Sequence, residues 1–449
     1  MNYNKKEIKQ GINIHNIKTN KFKTNLYAVF LAVPLNRENV TKNALLPAVL
    51  RRGTSNINSQ DLISKKLEEM YGASFDCGVE KTGDNQIIKF YLETINEAFL
   101  PEKEELDKKC LELLFDIILN PLVENNGFKP EYVESEKKKL KQIIEGKIDN
   151  KRVYSFERCI EEMFKNEPYG LYKYGYVEDL EKITLQNLYE HYKEFIKKCK
   201  IDIFVSGNLD DNIELNEQKQ QCNDTETEKS LNQMQANSIC KIIESNKHIQ
   251  ELAPRKPEYI VNKEKSEIIP KREENTVEEK MQVGQGNLVI GLSSNSQMEN
   301  EKYVMSVYNA ILGGGANSKL FQNVREKNSL AYTAGSTFRR QKNTIFIRCG
   351  IEIGNYQKAL DTIKEQIEDM KNGNFTEEDM ENAKKLIVSS IKGISSEQDT
   401  EITYYYGQEL SDSFSTLDEY IEKINNVNKQ NVEELAKEIW VNTVYFLRD

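Results

Sequence analysis

The stretch GGGANSKLFQNVREKNSLAYTAGS, residues 313–336, decides how this chain is read. A glycine triplet opens it. A charged, helix-like run follows, and AYTAGS then begins a strand-like run. Arg325 and Tyr332 stand seven residues apart across that helix-to-strand turn. The triplet is not a phosphate cradle, because it lacks the Gly-Lys-Ser/Thr ending and the strand-to-helix placement that a cradle needs. Glycine there frees the backbone beside an extended peptide or ends the preceding helix.

Working outward, the same order of segments occurs earlier in the chain. LISKKLEEMYGASFDCGVEKTG (62–83) parallels SKLFQNVREKNSLAYTAGSTFRR (318–340). Before each lies a strand-like run, LYAVFLAVPL (26–35) or QGNLVIGLS (285–293), and then a helix-like segment closing near glycine, at 43–53 or 300–314. After each comes a β-branched and aromatic strand, NQIIKFYLETI (85–95) or NTIFIRCGIEI (343–353). Amphipathic helices follow. Leu106, Cys110, Leu113 and Ile117 share one helical face, as do Leu360, Ile363, Ile367 and Met370. Both halves end on helix, break, helix and strand, in 177–208 and 417–449. The chain therefore reads as two similar α+β domains in tandem, an internal repeat. Two unrelated α+β domains with generic helices are the alternative, and the matching order speaks against it.

Between the repeats, residues 211–280 contain one aromatic residue, Tyr259, and no glycine. Charges, Gln and Asn dominate, and such a segment buries little apolar area against the entropy of ordering. It reads as a polar linker or insertion, disordered by composition, with transient helix near 238–252. The expected domains are 1–210 and 281–449 on either side of it.

Composition excludes several classes. A net charge of −10 over 449 residues argues against a general nucleic-acid binder. No stretch has the apolar length of a membrane span. Seven cysteines, Cys77, Cys110, Cys159, Cys199, Cys222, Cys240 and Cys349, form neither a disulfide framework nor a Cys-x-x-Cys zinc knuckle. They read as reduced, mostly buried thiols of a cytoplasmic protein. The three histidines, His15, His191 and His248, have no metal-ligand spacing. By pattern His15 lies in a polar stretch, His191 on a solvated helix face and His248 in the spacer.

The duplicated plan and segment 313–336 together resemble the pitrilysin/insulinase family of zinc peptidases, especially its half-length bacterial branch and the mitochondrial processing peptidases. The resemblance covers nearly the whole chain except the spacer. It implies that each half is an antiparallel-rich sheet with helices packed on one side, and that two such chains face each other as a clam shell around a chamber. In the family, His-x-x-Glu-His on one helix of the first half binds zinc and supplies the base. The corresponding place here is NALLPAVLRRGT (43–54). With Gly53-Thr54 as register, Ala44, Pro47 and Ala48 stand where His, Glu and His belong. The third ligand position falls at Ile143, with Glu136 at the supporting acid. Alanine cannot ligate, and proline strains a helix interior.

The second half departs less. Arg325 and Tyr332 match the family's arginine and tyrosine that hold the substrate carbonyl and donate toward the scissile carbonyl. A cationic fork and a neutral hydroxyl suit that task. The resemblance thus implies a chain that binds no metal itself. It would act as the substrate-binding subunit of a heterodimer whose related partner holds the zinc and whose substrate is a peptide or small unfolded protein. Two alternatives stay open: a scaffold or peptide-binding protein with no proteolytic role, and a peptidase with a divergent metal site.

Overall fold

Two elements lie side by side in a sheet only when their apolar alternation matches, and that match builds two sheets here. The computed structural model describes residues 3–102, 104–208, 239–261, 271 and 273–449. In the first part the strands are β1 (Tyr3–Lys9), β2 (Ile12–Lys18), β3 (Thr24–Pro34), β4 (Ser74–Thr82), β5 (Asn85–Ile95), the short pair β6 (Val123–Glu124) and β7 (Gly127–Phe128), and β8 (Lys200–Gly207). Six of them form a sheet in the order β1-β2-β8-β3-β5-β4. Its pairs are antiparallel except β2–β8.

The second sheet comprises β9 (Asn275–Lys280), β10 (Gly286–Ser294), β11 (Ala331–Arg339), β12 (Thr344–Ile351) and β13 (Ile439–Arg448), in the order β11-β12-β10-β13-β9. Again one pair is parallel, β13–β9, and the rest are antiparallel. Without β1, the first sheet maps strand for strand onto the second: β2 onto β9, β8 onto β13, β3 onto β10, β5 onto β12 and β4 onto β11. The α+β class and the antiparallel-rich tandem are as the sequence indicates.

Helices cover one face of each sheet. In the first unit α1 (Val40–Leu50), α2 (Gln60–Glu69), α3 (Leu106–Leu119), α4 (Pro130–Glu145) and the helix Leu185–Lys198 supply its apolar partners. Tyr27, Val29 and Leu31 of β3 and Ile201, Ile203 and Val205 of β8 meet Leu45, Val49, Leu114 and Leu188 in one core. In the second unit Leu288, Ile290 and Leu292 of β10 pack with Val307, Ile311, Ile363 and Leu435. Each such fully buried side chain contributes about 1.5–3 kcal/mol relative to exposure.

The linear boundaries and the compact units differ. One unit comprises residues 1–144 and 173–260, the other residues 145–172 and 261–449. The second includes α5 (Lys151–Met163), whose Phe156, Cys159 and Ile160 lie against Val289, Phe346, Tyr445 and Leu447 on the second sheet's other face. Much of the spacer is also built in. The helix expected near 238–252 is two short helices, 239–245 and Lys247–Glu251. Ile239, Cys240, Ile243 and Ile249 join the first core, and β9 is a strand of the second sheet. Residues 211–238, 262–270 and 272 lie outside the described residues, as does Cys222. The other six cysteines are free thiols, five of them buried. Among the described residues no helix is long and apolar enough to cross a membrane.

A polar cluster pins the middle of the first sheet. Asp202 of β8 is buried and accepts hydrogen bonds from Lys200 Nζ (2.5 and 2.6 Å), His15 Nε2 (2.9 Å) and Asn13 Nδ2 (3.0 Å). The Tyr3 hydroxyl holds the other nitrogen of His15, Nδ1, at 2.8 Å. His15 is thus interior, not part of a polar surface stretch. Burial alone would push the Asp202 carboxyl up. The Lys200 charge and the His15 hydrogen bond outweigh burial and hold it well below the usual carboxylate range. Removing one partner of such a pair strands the other, so Asp202→Asn is expected to lose about 3–5 kcal/mol of stability. Urea unfolding of the full chain at neutral pH measures this. Because the folded carboxyl is depressed, its contribution holds above about pH 4 and disappears on acidification. A parent and a variant with equal midpoints at pH 7 would refute the role.

Candidate functional site

The helix α1 carries the positions at which the family holds zinc. Ala44, Pro47 and Ala48 fall on one turn, at i, i+3 and i+4, facing β4 and α4 across a cavity of about 380 Å³. Ile143 and Glu136 of α4 line the same cavity. The structure therefore brings together all five positions that the sequence aligned with the metal site. None of the three α1 side chains offers a donor atom, and Ile143 presents an apolar side chain that is 47% exposed.

The carboxylate and the thiol that line this cavity, Glu136 and Cys77, are committed. Glu136 is buried, and its Oε1 accepts from Lys139 Nζ at 2.7 Å and Arg52 Nη1 at 3.2 Å. Arg52 also stacks on Tyr132, 4.9 Å from the ring centroid. Cys77 on β4 donates its thiol hydrogen to the Pro47 carbonyl at 3.4 Å. Burial, only partly offset by the nearby Arg51 charge, pushes the thiol up to about 12. It is a protonated thiol at neutral pH, and it is a single donor. Among the described residues no group of three or more His, Cys, Asp or Glu side chains stands where it could hold a metal ion. The residues at this site do not fit zinc.

Something other than a metal must hold α1 in place, since Pro47 removes one of its backbone hydrogen bonds. Asn43 does so. Its Nδ2 donates to Gln86 Oε1 of β5 (2.9 Å), and its Oδ1 accepts from His191 Nε2 (2.7 Å). Gln86 Nε2 donates in turn to the carbonyls of Val40 (2.9 Å) and Lys173 (2.8 Å). His191 is half-buried rather than on a solvated face. Burial first, and the Lys42 charge second, lower its pKa to about 4. The third histidine, His248, sits 3.2 Å from Asp116. That carboxylate also accepts from Thr54 and Asn56. All three histidines thus have structural partners. Side-chain pattern could not reveal this, because each partner lies far away in sequence.

In the second unit the segment 313–336 forms a strained presentation of two exposed side chains. The helix Glu301–Gly313 ends against β11, so close that a Cβ on Gly313 would lie 2.6 Å from the Ser336 nitrogen. The glycine is there for helix-to-strand approach. Phe321–Lys327 then forms a wide π-type turn. On it the Arg325 guanidinium stacks over Phe321 at 4.6 Å and lies 3.6 Å from Glu326. Ser329 takes a left-handed φ of 51°, while Val324 and Leu330 anchor the turn in the core.

β11 begins with a bulge. The register passes from Ala331↔Ile351 to Thr333↔Gly350 and leaves Tyr332 unpaired. Tyr332 is 60% exposed, and its hydroxyl donates to Glu352 Oε1 at 3.4 Å. β11 is also an edge strand. Both π-turns and bulges recur where a side chain is aimed for function. The sequence located Arg325 and Tyr332, but not the π-turn and bulge that aim them.

Residues 182–387 match the model of the peptidase M16 inactive domain. Over 441 residues, 98% of this chain and 96% of the relative, the sequence is 33% identical to the probable inactive metalloprotease YmfF of Bacillus subtilis (strain 168). A conserved protein from Enterococcus faecalis V583 shares the fold with a TM-score of 0.86 at 24% identity, covering 100% of this chain and 99% of that one. A peptidase M16 inactive domain protein from Pseudomonas fluorescens does so with a TM-score of 0.75 at 16% identity, covering 100% and 98%.

The His191 environment yields a pH prediction. An unfolded histidine takes up its proton below about pH 6.5, whereas His191 in the fold resists protonation down to about 4. In that window the unfolded state binds more protons, so stability falls as pH drops through it and levels off below. The expected loss is on the order of 3 kcal/mol. His191→Gln keeps a donor for Asn43 but does not titrate. Its urea midpoint should change less than the parent's between pH 7.5 and pH 5. Parallel curves for the two proteins would contradict this.

Proposed function

The chain belongs to the peptidase M16 family, the pitrilysin/insulinase peptidases, as an inactive, peptidase-like member, and on that premise we propose that it is the substrate-binding subunit of a heterodimeric zinc metallopeptidase. The observation that carries the proposal is the asymmetry between its two units. The first has Ala44, Pro47 and Ala48 at the metal-ligand positions of a cavity whose only lining carboxylate among the described residues, Glu136, is tied to Arg52 and Lys139. The second keeps Arg325 and Tyr332 exposed on a segment whose backbone is shaped to present them.

In this reading a related partner chain carries His-x-x-Glu-His and supplies zinc and base. Arg325 offers a fixed cation and N–H donors to a peptide carbonyl. Tyr332 offers a neutral O–H to a carbonyl oxygen on which negative charge develops. The free edges of β4 and β11 suit main-chain pairing with an extended peptide. The substrate is then an unfolded peptide or small protein, met in the cytoplasm. One observation favours the scaffold alternative: both side chains already have local partners, Glu326 for Arg325 and Glu352 for Tyr332.

Mixing decides between them. Purified together with its zinc-bearing partner, the chain should restore peptide hydrolysis that neither shows alone. Tyr332→Phe should lower kcat of the pair about 10²-fold, the loss expected on removing one donor to a developing oxyanion. Arg325→Ala should act mainly through KM if it holds a ground-state carbonyl. A pair as active with both substitutions as without them would leave the scaffold reading standing.

A further inference from the structure

Arginines collect around one phenyl ring on the α5 side of the second sheet. Arg339 and Arg348 both lie over the ring of Phe156, at 5.2 and 5.1 Å from its centroid. The two belong to neighbouring strands, β11 and β12, and Arg348 stands opposite Gly335 in the ladder. Arg152 lies one helical turn before Phe156 on α5, which places it on the same helix face. Arg152 and Arg348 line one cavity of about 310 Å³, together with Thr333 and Ser336 of β11 and Asn287 of β10.

None of these three arginines has a carboxylate partner among the described residues. Among the described residues the one hydrogen bond of the Arg348 side chain is to the Thr337 hydroxyl at 3.4 Å. The contrast with Arg158, six residues after Arg152 on α5, is sharp. Arg158 is saturated by Glu161 at 2.6 Å, Glu162 at 3.1 Å and Glu279 at 3.3 Å. Uncompensated like charges brought together on an apolar ring are costly unless an anion completes them. Burial and the Arg339 charge in fact hold the Arg348 guanidinium below its ordinary value.

We propose that Arg152, Arg339 and Arg348 form a binding site for the carboxylate side chains of an extended acidic peptide lying along the free edge of β11. The site rests on the peptide-binding part of the proposed function and supplies its substrate class. Three features select this occupant. The cavity is walled by β11 itself, so a ligand entering from that edge is strand-like. Planar guanidinium forks match carboxylates in bidentate fashion. Among the described residues no carboxylate pairs with these three arginines, so the occupant supplies the anions.

The test uses the full chain alone, so that it does not depend on any partner. Fluorescence anisotropy at low salt compares a short unstructured Glu-rich peptide with its Glu→Gln counterpart. The acidic peptide should bind at least about tenfold more tightly, the effect of one or more charge-assisted hydrogen bonds. Arg339→Gln with Arg348→Gln should erase that preference, and Arg152→Gln alone should reduce it. Circular dichroism checks that each variant is folded. Equal binding of the two peptides overturns the proposal, as does a preference that survives all three substitutions. Single-stranded DNA of equal charge binding as tightly would assign the patch to phosphates and overturn it too. Arg325→Ala and Tyr332→Phe should leave the preference intact. Failure of the mixing experiment with a retained acidic preference would therefore discard the subunit reading and keep this site.

Discussion

Each sheet depends on a strand that comes last in its repeat and sits near the middle. β8 lies between β2 and β3, and β13 lies between β9 and β10. In both cases the closing strand pairs parallel on one side and antiparallel on the other. The parallel pairing joins residues far apart in sequence, which makes it entropically costly to form. Burial of the closing strand offsets that cost: β8 is buried along its full length and β13 over residues 443–447. The Asp202 cluster belongs to this seam. It fastens β8 to β2 by side chains where the ladder fastens them by backbone.

The first unit shows how a site shaped for a metal can stand without one. A buried carboxylate requires a cation. Where zinc is absent, Arg52 at the end of α1 and Lys139 on α4 neutralise Glu136. Alanine, proline and isoleucine at the other positions remove every further demand for charge. The cavity then persists because α1 is held from outside it, through Asn43, Gln86 and His191, and not from within. Pro47 fits the same logic. A helix interior proline costs about 3 kcal/mol, and a helix so firmly pinned tolerates it.

Much of this was legible in the chain, and the limits are physical. The repeat was visible because strand and helix periods survive divergence of individual residues. Arg325 and Tyr332 were singled out by the family resemblance of their segment, and both are exposed in the fold. The fate of α5 was not legible: Phe156, Cys159 and Ile160 at i, i+3 and i+4 announce one apolar face but not the sheet that covers it. The histidines misled for a related reason. In INIHNIK, alternation places Ile12 and Ile14 in the core, which suggests that Asn13 and His15 face water. β2 is buried on both faces, and the polar pair faces Asp202 instead. The spacer read as uniformly polar because averaging over 211–280 diluted Ile239, Ile243 and Ile249, which suffice to seat two short helices.

Electrostatics now separates the two units more clearly than topology does. They share a strand order, a helix order and a core plan. In the first, the buried carboxylates are closed into pairs: Glu136 with Arg52 and Lys139, Asp202 with Lys200, Asp116 with His248. In the second, Arg152, Arg339 and Arg348 stand without carboxylates beside an unpaired strand edge, and Arg325 has only its exposed neighbour Glu326 at 3.6 Å. Closed pairs contribute to stability and have nothing left to offer a ligand. Open cations lower stability and persist where a ligand completes them. A duplicated fold that lacks metal donors in one copy can therefore keep a working surface in the other, and our proposal places that surface of this chain in the second.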